Sequence, residues 1–413
     1  MSDGTTTAPP VVEKAGTEKA AAPGTSADDL TKYKVAGDIV HSAIKRLVEL
    51  SVEGAKVFDL CVEGDKLIEQ GTGLVYNKAV KGVKISKGLA FPTSISVNNV
   101  VSHFSPLPSD ALSSLTLSKD DVVKIHVGAH IDGFASVSAE TLVVGASEEN
   151  PVTGPRADAL KAAWTAAEVA QRLIKAGEKN WTVTDAVNKV ATAFGTKPIE
   201  GMLSCEQSKN VIDGKKRIIL NPSEGSRSGV DTATFAEGDV WGMDILITSG
   251  PEGRVRAIQA PDSRTSIYQK ASDITYQLKM KTSRAVFSEI QKKAGAFPFN
   301  VRNLEDEKRS RVGVQEAEQH GLLKPYEVQV TPAGTFVAAF HFTIALLPAG
   351  PLLISQPPIW YKPEKVKAEK ELEDPELKEL LTKKLREPKK KNKKKTAGEG
   401  EVAEAAANAE STE

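Results

Sequence analysis

Residues 90–103 read AFPTSISVNNVVSH, an apolar stretch that is rich in Ser and Asn and ends in a histidine. Its β-branched residues, bordered by Gly, Pro, Ser or Asn, predict a strand. Five further segments share this composition, and the six predicted strands are Gly88–Val101, Asp121–Val127, Thr141–Val144, Arg217–Leu220, Val240–Thr248 and Thr335–Leu347. Because predicted helices lie between these strands, the chain is expected to adopt an α/β fold.

Two pairs of helices precede strands in a repeated arrangement. Apolar residues at helical spacing predict a helix over Ala36–Leu50 and a matching helix over Ala157–Ala176. Each is followed by a Gly-x-Lys turn, at Gly54–Lys56 and at Gly177–Lys179, and then by a second helical segment. This repetition predicts a pseudo-two-fold duplication within one domain.

A polar, basic stretch of about residues 261–325 separates the last two predicted strands. Its pattern is helical, so it is interpreted as a subdomain inserted into the main fold. The predicted organisation is a disordered tail at 1–29 and an α/β domain at 30–365 that carries the insert. Residues 366–413 are predicted to form an amphipathic helix and then a Lys-rich and finally acidic disordered tail.

The composition excludes several classes of protein. Of the 413 residues, 40% are hydrophobic and 26% are charged, which is ordinary for a globular chain. Two cysteines, Cys61 and Cys205, provide no disulfide framework, and the N-terminus has no apolar core like that of a signal peptide. The most apolar segment, Phe336–Ile354, is interrupted by a histidine and two prolines. We therefore expect a soluble intracellular protein without membrane contacts.

The stretch Ala90–His103 resembles the substrate-pocket strand of type 2 methionine aminopeptidases. Those enzymes hold two metal ions with bridging carboxylates and histidine, and the ions lower the pKa of a bound water to about 7. Four of the five matching ligand positions hold His126, Val137, Asp244 and His341. The third position in chain order falls at Ser204 or at its neighbour Cys205. Only Asp244 keeps a carboxylate. His103 matches a further active-site histidine that does not itself bind metal.

Two interpretations of these positions remain open. In the first, they are the remains of a lost metal site or ordinary packing, so no catalytic residue and no cofactor are assigned. In the second, His126, His341, Asp244 and Cys205 bind a different metal such as zinc, which accepts nitrogen, sulfur and oxygen ligands.

Longer runs across about residues 31–360 support a more specific resemblance. They are TKYK (31–34), GLAFPTSISVNN with HFSPL (88–107), HIDGF (130–134), PIEGML (198–203), VIDGKK (211–216), LKMKTSRA (278–285) and LEDEK (304–308). In these runs the chain resembles the ErbB-receptor-binding, or proliferation-associated, protein family, whose fungal members include curved-DNA-binding proteins.

The resemblance implies a pita-bread fold without peptidase activity. It also implies association with RNA and with the large ribosomal subunit near the nascent-chain exit tunnel. The compartments it implies are the cytoplasm, nucleus and nucleolus. One departure concerns the first ligand position, where the family keeps Asp and this chain has His126. That change makes metal binding still less favourable.

Two basic clusters predict contacts with nucleic acid, because lysine and arginine neutralise phosphates and release counterions. The cluster in the insert comprises Lys279, Lys281, Arg284, Lys292 and Lys293, and the cluster in the tail comprises Lys389, Lys390, Lys391, Lys393, Lys394 and Lys395. The tail cluster contains no aromatic residue, which favours backbone contacts with structured rRNA. Without a contact to nucleic acid, the insert cluster would be a solvated helix face and the tail cluster would be a nuclear localisation signal.

A short amphipathic helix is predicted after Asp374-Pro375, with Asp374 as its N-cap. Its residues Leu377–Leu381 match the LxxLL motif by which cofactors of nuclear receptors dock. The same spacing also describes the apolar face of an ordinary helix, and that interpretation is favoured.

Three functional hypotheses are consistent with these features. The leading one is a non-catalytic RNA- and ribosome-binding factor with a role in ribosome biogenesis, translation and growth control. Its expected partners are rRNA and the ribosomal proteins at the tunnel exit. The alternatives are a nuclear DNA-binding or transcriptional regulator, with DNA and nuclear proteins as partners, and a metal-dependent methionine aminopeptidase with an altered ligand set. A monomer is expected.

Overall fold

The computed structural model describes residues 25–80, 82–258 and 264–386. The α-helices in these ranges are α1 Ala27–Leu50, α2 Val57–Leu74, α3 Gly154–Leu173, α4 Asn180–Ala193, α5 Glu224–Arg227, α6 Lys281–Lys293, α7 Glu307–Gln319 and α8 Pro375–Thr382. None of these helices combines the length and the apolar character needed to cross a lipid bilayer.

The strands in the same ranges are β1 Lys87–Val97, β2 Val100–Ser102, β3 Val122–Ile131, β4 Phe134–Val143, β5 Lys197–Pro198, β6 Leu203–Gln207, β7 Arg217–Ile219, β8 Val240–Thr248, β9 Arg256–Ala257, β10 Ile267–Lys270, β11 Phe299–Asn300, β12 Leu323–Tyr326, β13 Gln329–Val330, β14 Val337–Leu347 and β15 Gly350–Leu353. All six predicted strands are present. β4 begins at Phe134 rather than at the predicted Thr141, because its first half consists of small and polar residues that are nonetheless buried on both faces.

One large antiparallel sheet forms the centre of the molecule, with the strand order β1-β3-β4-β14-β8-β6-β7. β15 pairs with β14, and β5 pairs with β8. The strands β1, β3 and β4 follow the helix pair α1–α2, whereas most strands of the other half follow α3–α4. The two halves meet where β4 lies beside β14. This arrangement confirms the predicted pseudo-two-fold duplication.

The helices cover the sheet and enclose the main apolar core. α1 and α2 pack on β1, β3 and β4, while α3 packs on β8 and β14. α3 is rich in alanine, and its buried alanines are Ala157, Ala159, Ala162, Ala163, Ala166, Ala167 and Ala170. Since alanine has no side chain beyond Cβ, this helix can lie close to the sheet.

α1 begins at Ala27, earlier than the predicted Ala36 and inside the predicted disordered tail. The Ser26 hydroxyl accepts a hydrogen bond from the Asp29 N–H, and the Asp29 carboxylate accepts one from the Ser26 N–H. Lys32 in the next turn forms ion pairs with two aspartates at 2.8 and 2.9 Å. The tail boundary at residue 29 was therefore wrong, because capping and charge stabilise a turn that has little apolar pattern.

The insert is a subdomain with its own apolar core, although it is not purely helical. Its helices α6 and α7 accompany a three-stranded sheet in the order β11-β10-β12. The helices approach closely at Gly313, where an added Cβ would lie 2.7 Å from the Cβ of Val286. The strands are only two to four residues long. Such strands are too short to show an alternating pattern, so the sequence predicted only the helices.

Arg302 joins the insert to the main sheet domain. Its guanidinium lies 2.6 Å from the carboxylate of Asp65 in α2, and both side chains are almost completely buried. Arg302 also donates hydrogen bonds to the carbonyl oxygens of Cys61 and Thr93. Asp65 accepts further hydrogen bonds from the Thr93 N–H and the Asn303 side chain. Because these bonds link α2, β1 and the insert, they hold the insert in one orientation.

The segment after the main sheet is held by Glu140, a buried carboxylate in β4. It accepts hydrogen bonds from the backbone N–H groups of Ile359, Trp360 and Tyr361. Burial raises the pKa of this carboxyl group, while the three N–H donors act in the opposite direction. The contacts fix the path of the chain towards α8.

The LxxLL leucines belong to the fold. Asp374 caps α8, since its carboxylate accepts hydrogen bonds from the N–H groups of Glu376 and Leu377. Leu377 is buried, and Leu380 and Leu381 are partly buried against the main core. This packing supports the interpretation of the motif as the apolar face of a helix.

Removing the charge partner of Arg302 should strongly destabilise the protein. Asp65→Ala leaves a buried guanidinium unpaired, so we expect the free energy of unfolding in urea to fall by about 3–5 kcal/mol. The control is Glu49→Ala, which removes an ion pair with Arg46 whose side chains are about half exposed. That change should cost less than about 1 kcal/mol. Equal losses in the two variants would contradict the anchoring role.

Candidate functional site

A pocket of about 410 Å³ opens between the main sheet and the insert. The strand register brings three predicted residues into one row, since His126 pairs with Ala139, Ala139 with His341, and His341 with Asp244. Directly paired residues on antiparallel strands have their side chains on the same face. Val137 also lines this pocket. The structure therefore brings together four of the five predicted positions.

Aromatic rings line the floor of the pocket. The ring of Phe91 stacks on His126 with centroids 4.4 Å apart, and His126 stacks on His341 at 5.4 Å. Tyr326 of the insert meets Phe91 and His103 edge-on, with centroids 5.2 and 5.1 Å apart. These contacts form a continuous ring stack where a metallopeptidase of this type would hold its metal ligands.

The ring stack is uncharged at neutral pH. Burial lowers the pKa of His341 to about 3 and the pKa of His103 to about 4. Burial also lowers the pKa of His126, and its two histidine neighbours lower it further. By contrast, burial raises the pKa of Asp244 to about 7. The remaining carboxyl group is therefore only partly ionised near pH 7.

Of the two candidates for the third ligand position, Cys205 lines the pocket and Ser204 does not. Side chains alternate along β6, so Cys205 lines the pocket while Ser204 points away from it. The Ser204 hydroxyl instead accepts a hydrogen bond from the Asp244 N–H at 2.9 Å. The sequence left both Ser204 and Cys205 as candidates, because it does not fix which face of a strand a residue occupies. Burial raises the pKa of the Cys205 thiol to about 11, which keeps it protonated.

The residues present do not fit a two-metal centre. Such a centre needs several carboxylates, whereas Val137 offers no ligand atom and His126 is held in the ring stack with its Nε2 buried and unpaired. Across the described ranges, no group of three or more His, Cys, Asp or Glu side chains is placed to hold a metal ion. The alternative zinc site of His126, His341, Asp244 and Cys205 finds no support in this geometry.

Known proteins of similar sequence share this architecture. Residues 31–216 match the model of metallopeptidase family M24. Curved DNA-binding protein of Schizosaccharomyces pombe is 47% identical over 368 residues, which cover 89% of this chain and 93% of the relative. ERBB-3 binding protein 1 of Arabidopsis thaliana is 41% identical, with 94% of each chain covered. The chain belongs to the proliferation-associated, or ErbB-3-binding, protein family.

Solved structures agree with the predicted pita-bread fold of this family member. A thermophilic Arx1 matches it with a TM-score of 0.80 at 32% identity, covering 88% of this chain and 100% of that one. A methionine aminopeptidase from Thermotoga maritima matches with a TM-score of 0.52 at 16% identity, covering 80% of this chain and 98% of the enzyme. The second match concerns the fold alone.

The insert of this family member carries an exposed basic surface on α6. Lys281, Arg284 and Lys292 are exposed. Arg284 lies three residues and Lys292 eleven residues after Lys281, and this spacing places all three on one side of the helix. Val286 and Ile290 are buried on the opposite side. At 1.5 Å per residue, the three cations span about 16 Å. We call Lys281, Arg284 and Lys292 the α6 stripe.

The other two predicted residues of the insert cluster lie beside the α6 stripe. Lys279 is exposed immediately before the helix. Lys293 forms an ion pair with Glu289 at 2.9 Å, which offsets part of its charge. Arg284 donates hydrogen bonds to two backbone carbonyls at 2.7 and 2.9 Å, so its position is fixed. The tail cluster, Lys389–Lys395, lies outside the described residues.

Two further exposed cations lie at the start of α7 and were not among the predicted residues. The Glu305 N–H donates a hydrogen bond to Glu289, and this contact shows that α7 begins beside the end of α6. Lys308 and Arg309 are exposed in the first turn of α7, beside this end of α6. In the sequence Lys308 ends the run LEDEK, which indicated only the family, and Arg309 follows that run. Their proximity to α6 follows from the antiparallel helix pairing.

Asp244 should make the stability of the protein depend on pH. Its pKa rises from an ordinary value of 3.8 to about 7 in the folded state, so folding binds a proton between these values. The contribution of the Asp244 carboxyl group to the free energy of unfolding is fully present below about pH 4, and it is lost as the pH rises through 7. We expect Asp244→Asn to raise the free energy of unfolding by about 2–4 kcal/mol at pH 8 and to change it little at pH 4.

Chemical denaturation at the two pH values measures this effect. The control is Asp213→Asn, which removes an exposed carboxylate at the pocket rim and should change stability by less than about 0.5 kcal/mol at either pH. A gain from Asp244→Asn that is equal at pH 4 and pH 8 would rule out a buried, proton-binding carboxyl group.

Proposed function

We propose that this protein is a non-catalytic RNA- and ribosome-binding factor. It acts on the large ribosomal subunit near the nascent-chain exit tunnel, where it contacts rRNA and ribosomal proteins. Its role lies in ribosome biogenesis, translation and growth control, as the family resemblance implies. The observation that carries the proposal is the α6 stripe on a firmly anchored insert.

The chemistry of the α6 stripe suits a phosphate backbone. None of its three cations forms an ion pair with a carboxylate in the described ranges, so their charge is available to a partner. The helix holds them at fixed spacing, and the Asp65–Arg302 pair holds the helix on the domain. A preorganised row of cations loses little conformational entropy when it binds. Backbone contacts of this kind recognise the shape of structured RNA.

The non-catalytic part of the proposal is supported by the chemistry of the pocket. Hydrolysis by this fold would need metal-activated water, and the ligand positions offer uncharged rings, a protonated thiol and one partly ionised carboxyl group. The retained pocket strand therefore serves the packing of the sheet and insert.

The aminopeptidase alternative can be tested directly. We expect the purified protein, after incubation with Co²⁺, Mn²⁺ or Zn²⁺ and desalting, to retain far less than one metal ion per chain. We also expect no release of methionine from a Met-Ala peptide, because only one carboxyl group is present at the five ligand positions. Metal content is measured by mass spectrometry, with a methionine aminopeptidase assayed in parallel. Two bound ions together with peptide turnover would overturn the proposal.

A second candidate function is that of a nuclear DNA-binding or transcriptional regulator. The specific reason is the relative named curved DNA-binding protein, with 47% identity. Basic residues meet the phosphates of DNA and RNA alike, so charge does not separate the two. Lys389–Lys395 have the composition of a nuclear localisation signal, which suits either role. We further propose a monomer that occurs in the cytoplasm, nucleus and nucleolus.

Reversing charges on the α6 stripe should weaken binding to large ribosomal subunits. Lys281→Glu/Lys292→Glu changes both ends of the stripe and leaves Arg284, which holds the backbone, in place. About six RNA phosphate contacts would give a log–log salt slope of about −4, at about 0.7 per contact. Loss of two contacts should reduce the slope to about −2.8 and lower the affinity about tenfold at low salt. Binding to purified subunits across a salt series measures both.

The matched control is Lys119→Glu/Lys175→Glu, which makes the same change of charge at exposed lysines outside the insert. This control should bind like the wild type. Bent duplex DNA added as a competitor should displace the protein only at higher concentration than structured rRNA, and the reverse order would favour the DNA role. A flat salt response of the wild type, or full binding by the stripe variant, would refute the role of the α6 stripe.

A further inference from the structure

A second basic segment lies outside the insert, immediately after α2. No acidic residue occurs between Glu69 and Asp110, whereas four lysines occur at intervals of three residues, at 78, 81, 84 and 87. Lys81 lies outside the described residues. We call residues 74–80 and 82–87 the valine hairpin. Along the sequence its charge is purely positive. In the structure Asp28, Lys32 and Asp132 line a pocket together with Val80, Val83 and Lys84.

The valine hairpin is held by its own hydrogen bonds. The backbones of Val80 and Val83 exchange two hydrogen bonds, each of 3.0 Å. At the base, the Lys87 ammonium donates to the carbonyl oxygen of Val75 and to the side-chain oxygen of Asn77. These bonds tie the two described sides of the segment, 74–80 and 82–87, to each other.

Its apolar side chains are directed to solvent. Leu74 is 82% exposed, Val83 is 70% exposed and Val80 is 57% exposed. Lys78 and Lys84 are exposed beside them, and neither forms an ion pair with a carboxylate in the described part of the chain. Apolar side chains grouped on a surface among available cations mark an interaction site.

The valine hairpin adjoins the insert. A cavity of about 410 Å³ is lined on one side by Thr72 and Lys87, at the base of the hairpin. On the other side it is lined by Lys293 and Asn303 of the insert. Lys293 ends α6 and follows Lys292 of the α6 stripe. The base of the hairpin and the C-terminal end of α6 thus border one cavity.

We propose that the valine hairpin is a second RNA contact that binds the same RNA as the α6 stripe. Lys78 and Lys84 contact phosphates, and Val80 and Val83 pack against riboses. This inference rests on the proposed function and adds a site to it. RNA suits both kinds of side chain, because the minor groove of A-form RNA is wide and shallow and displays its riboses between two phosphate backbones.

Two hairpin variants separate the electrostatic and the apolar contributions. They are Lys78→Glu/Lys84→Glu and Val80→Ser/Val83→Ser, and each is measured against protein-free large-subunit rRNA and against intact large subunits. The lysine variant should lower the affinity for both about tenfold and make the salt slope shallower by about 1.4. The valine variant should lower both affinities about threefold and leave the slope unchanged, because it removes no charge.

The control is again Lys119→Glu/Lys175→Glu, which should bind both targets like the wild type. Thermal unfolding of both hairpin variants should match that of the wild type, because all four changed side chains are exposed. Unchanged binding by both hairpin variants, with loss of binding by the α6 stripe variant, would overturn this inference and leave the proposed function standing. Loss of binding to subunits but not to rRNA would assign the hairpin to a ribosomal protein and overturn the RNA contact. A wild-type protein that binds neither target would overturn both proposals.

Discussion

The buried ion pair between Asp65 and Arg302 determines how the two parts of this molecule relate to each other. Removing two charges from water costs several kcal/mol per ion. Further hydrogen bonds to the Asp65 carboxylate and to the terminal nitrogens of Arg302 offset that cost. Those bonds come from α2, from β1 and from the insert itself. A change in the orientation of the insert would leave buried charge unpaired. The α6 stripe is therefore presented in a fixed direction on the surface.

The same placement of the insert closes one side of the pocket. Tyr326 comes from the strand β12 of the insert and meets the rings of Phe91 and His103. Together with His126 and His341 these rings pack where the related enzymes hold charged ligands. Neutral rings are compatible with a low-dielectric floor, whereas several carboxylates there would need metal ions to balance them. The uncharged pocket and the exposed cations of the insert both favour binding at the surface of the insert over catalysis in the pocket.

Much of this architecture could be predicted because it depends on periodic patterns and on recognisable runs. The strand around Phe91 and the substitutions at His126 and Val137 were visible from their flanking sequence. The start of α1 at Ala27 was not, because it depends on a capping box. The choice between Ser204 and Cys205 depends on which face of β6 lines the pocket. The start of α7 beside α6 and the cavity between the valine hairpin and the insert depend on tertiary contacts that no local pattern contains.

The central claim is that this fold binds RNA through the surface of its insert and not through its pocket. Quantitative acylation of lysines, compared by mass spectrometry between the free protein and its complex with large ribosomal subunits, tests it most directly. We predict that Lys281 and Lys292 are protected in the complex, whereas Lys119 and Lys175 react equally in both states. Protection of Lys324 at the pocket rim, with Lys281 and Lys292 fully reactive in the complex, would contradict the claim.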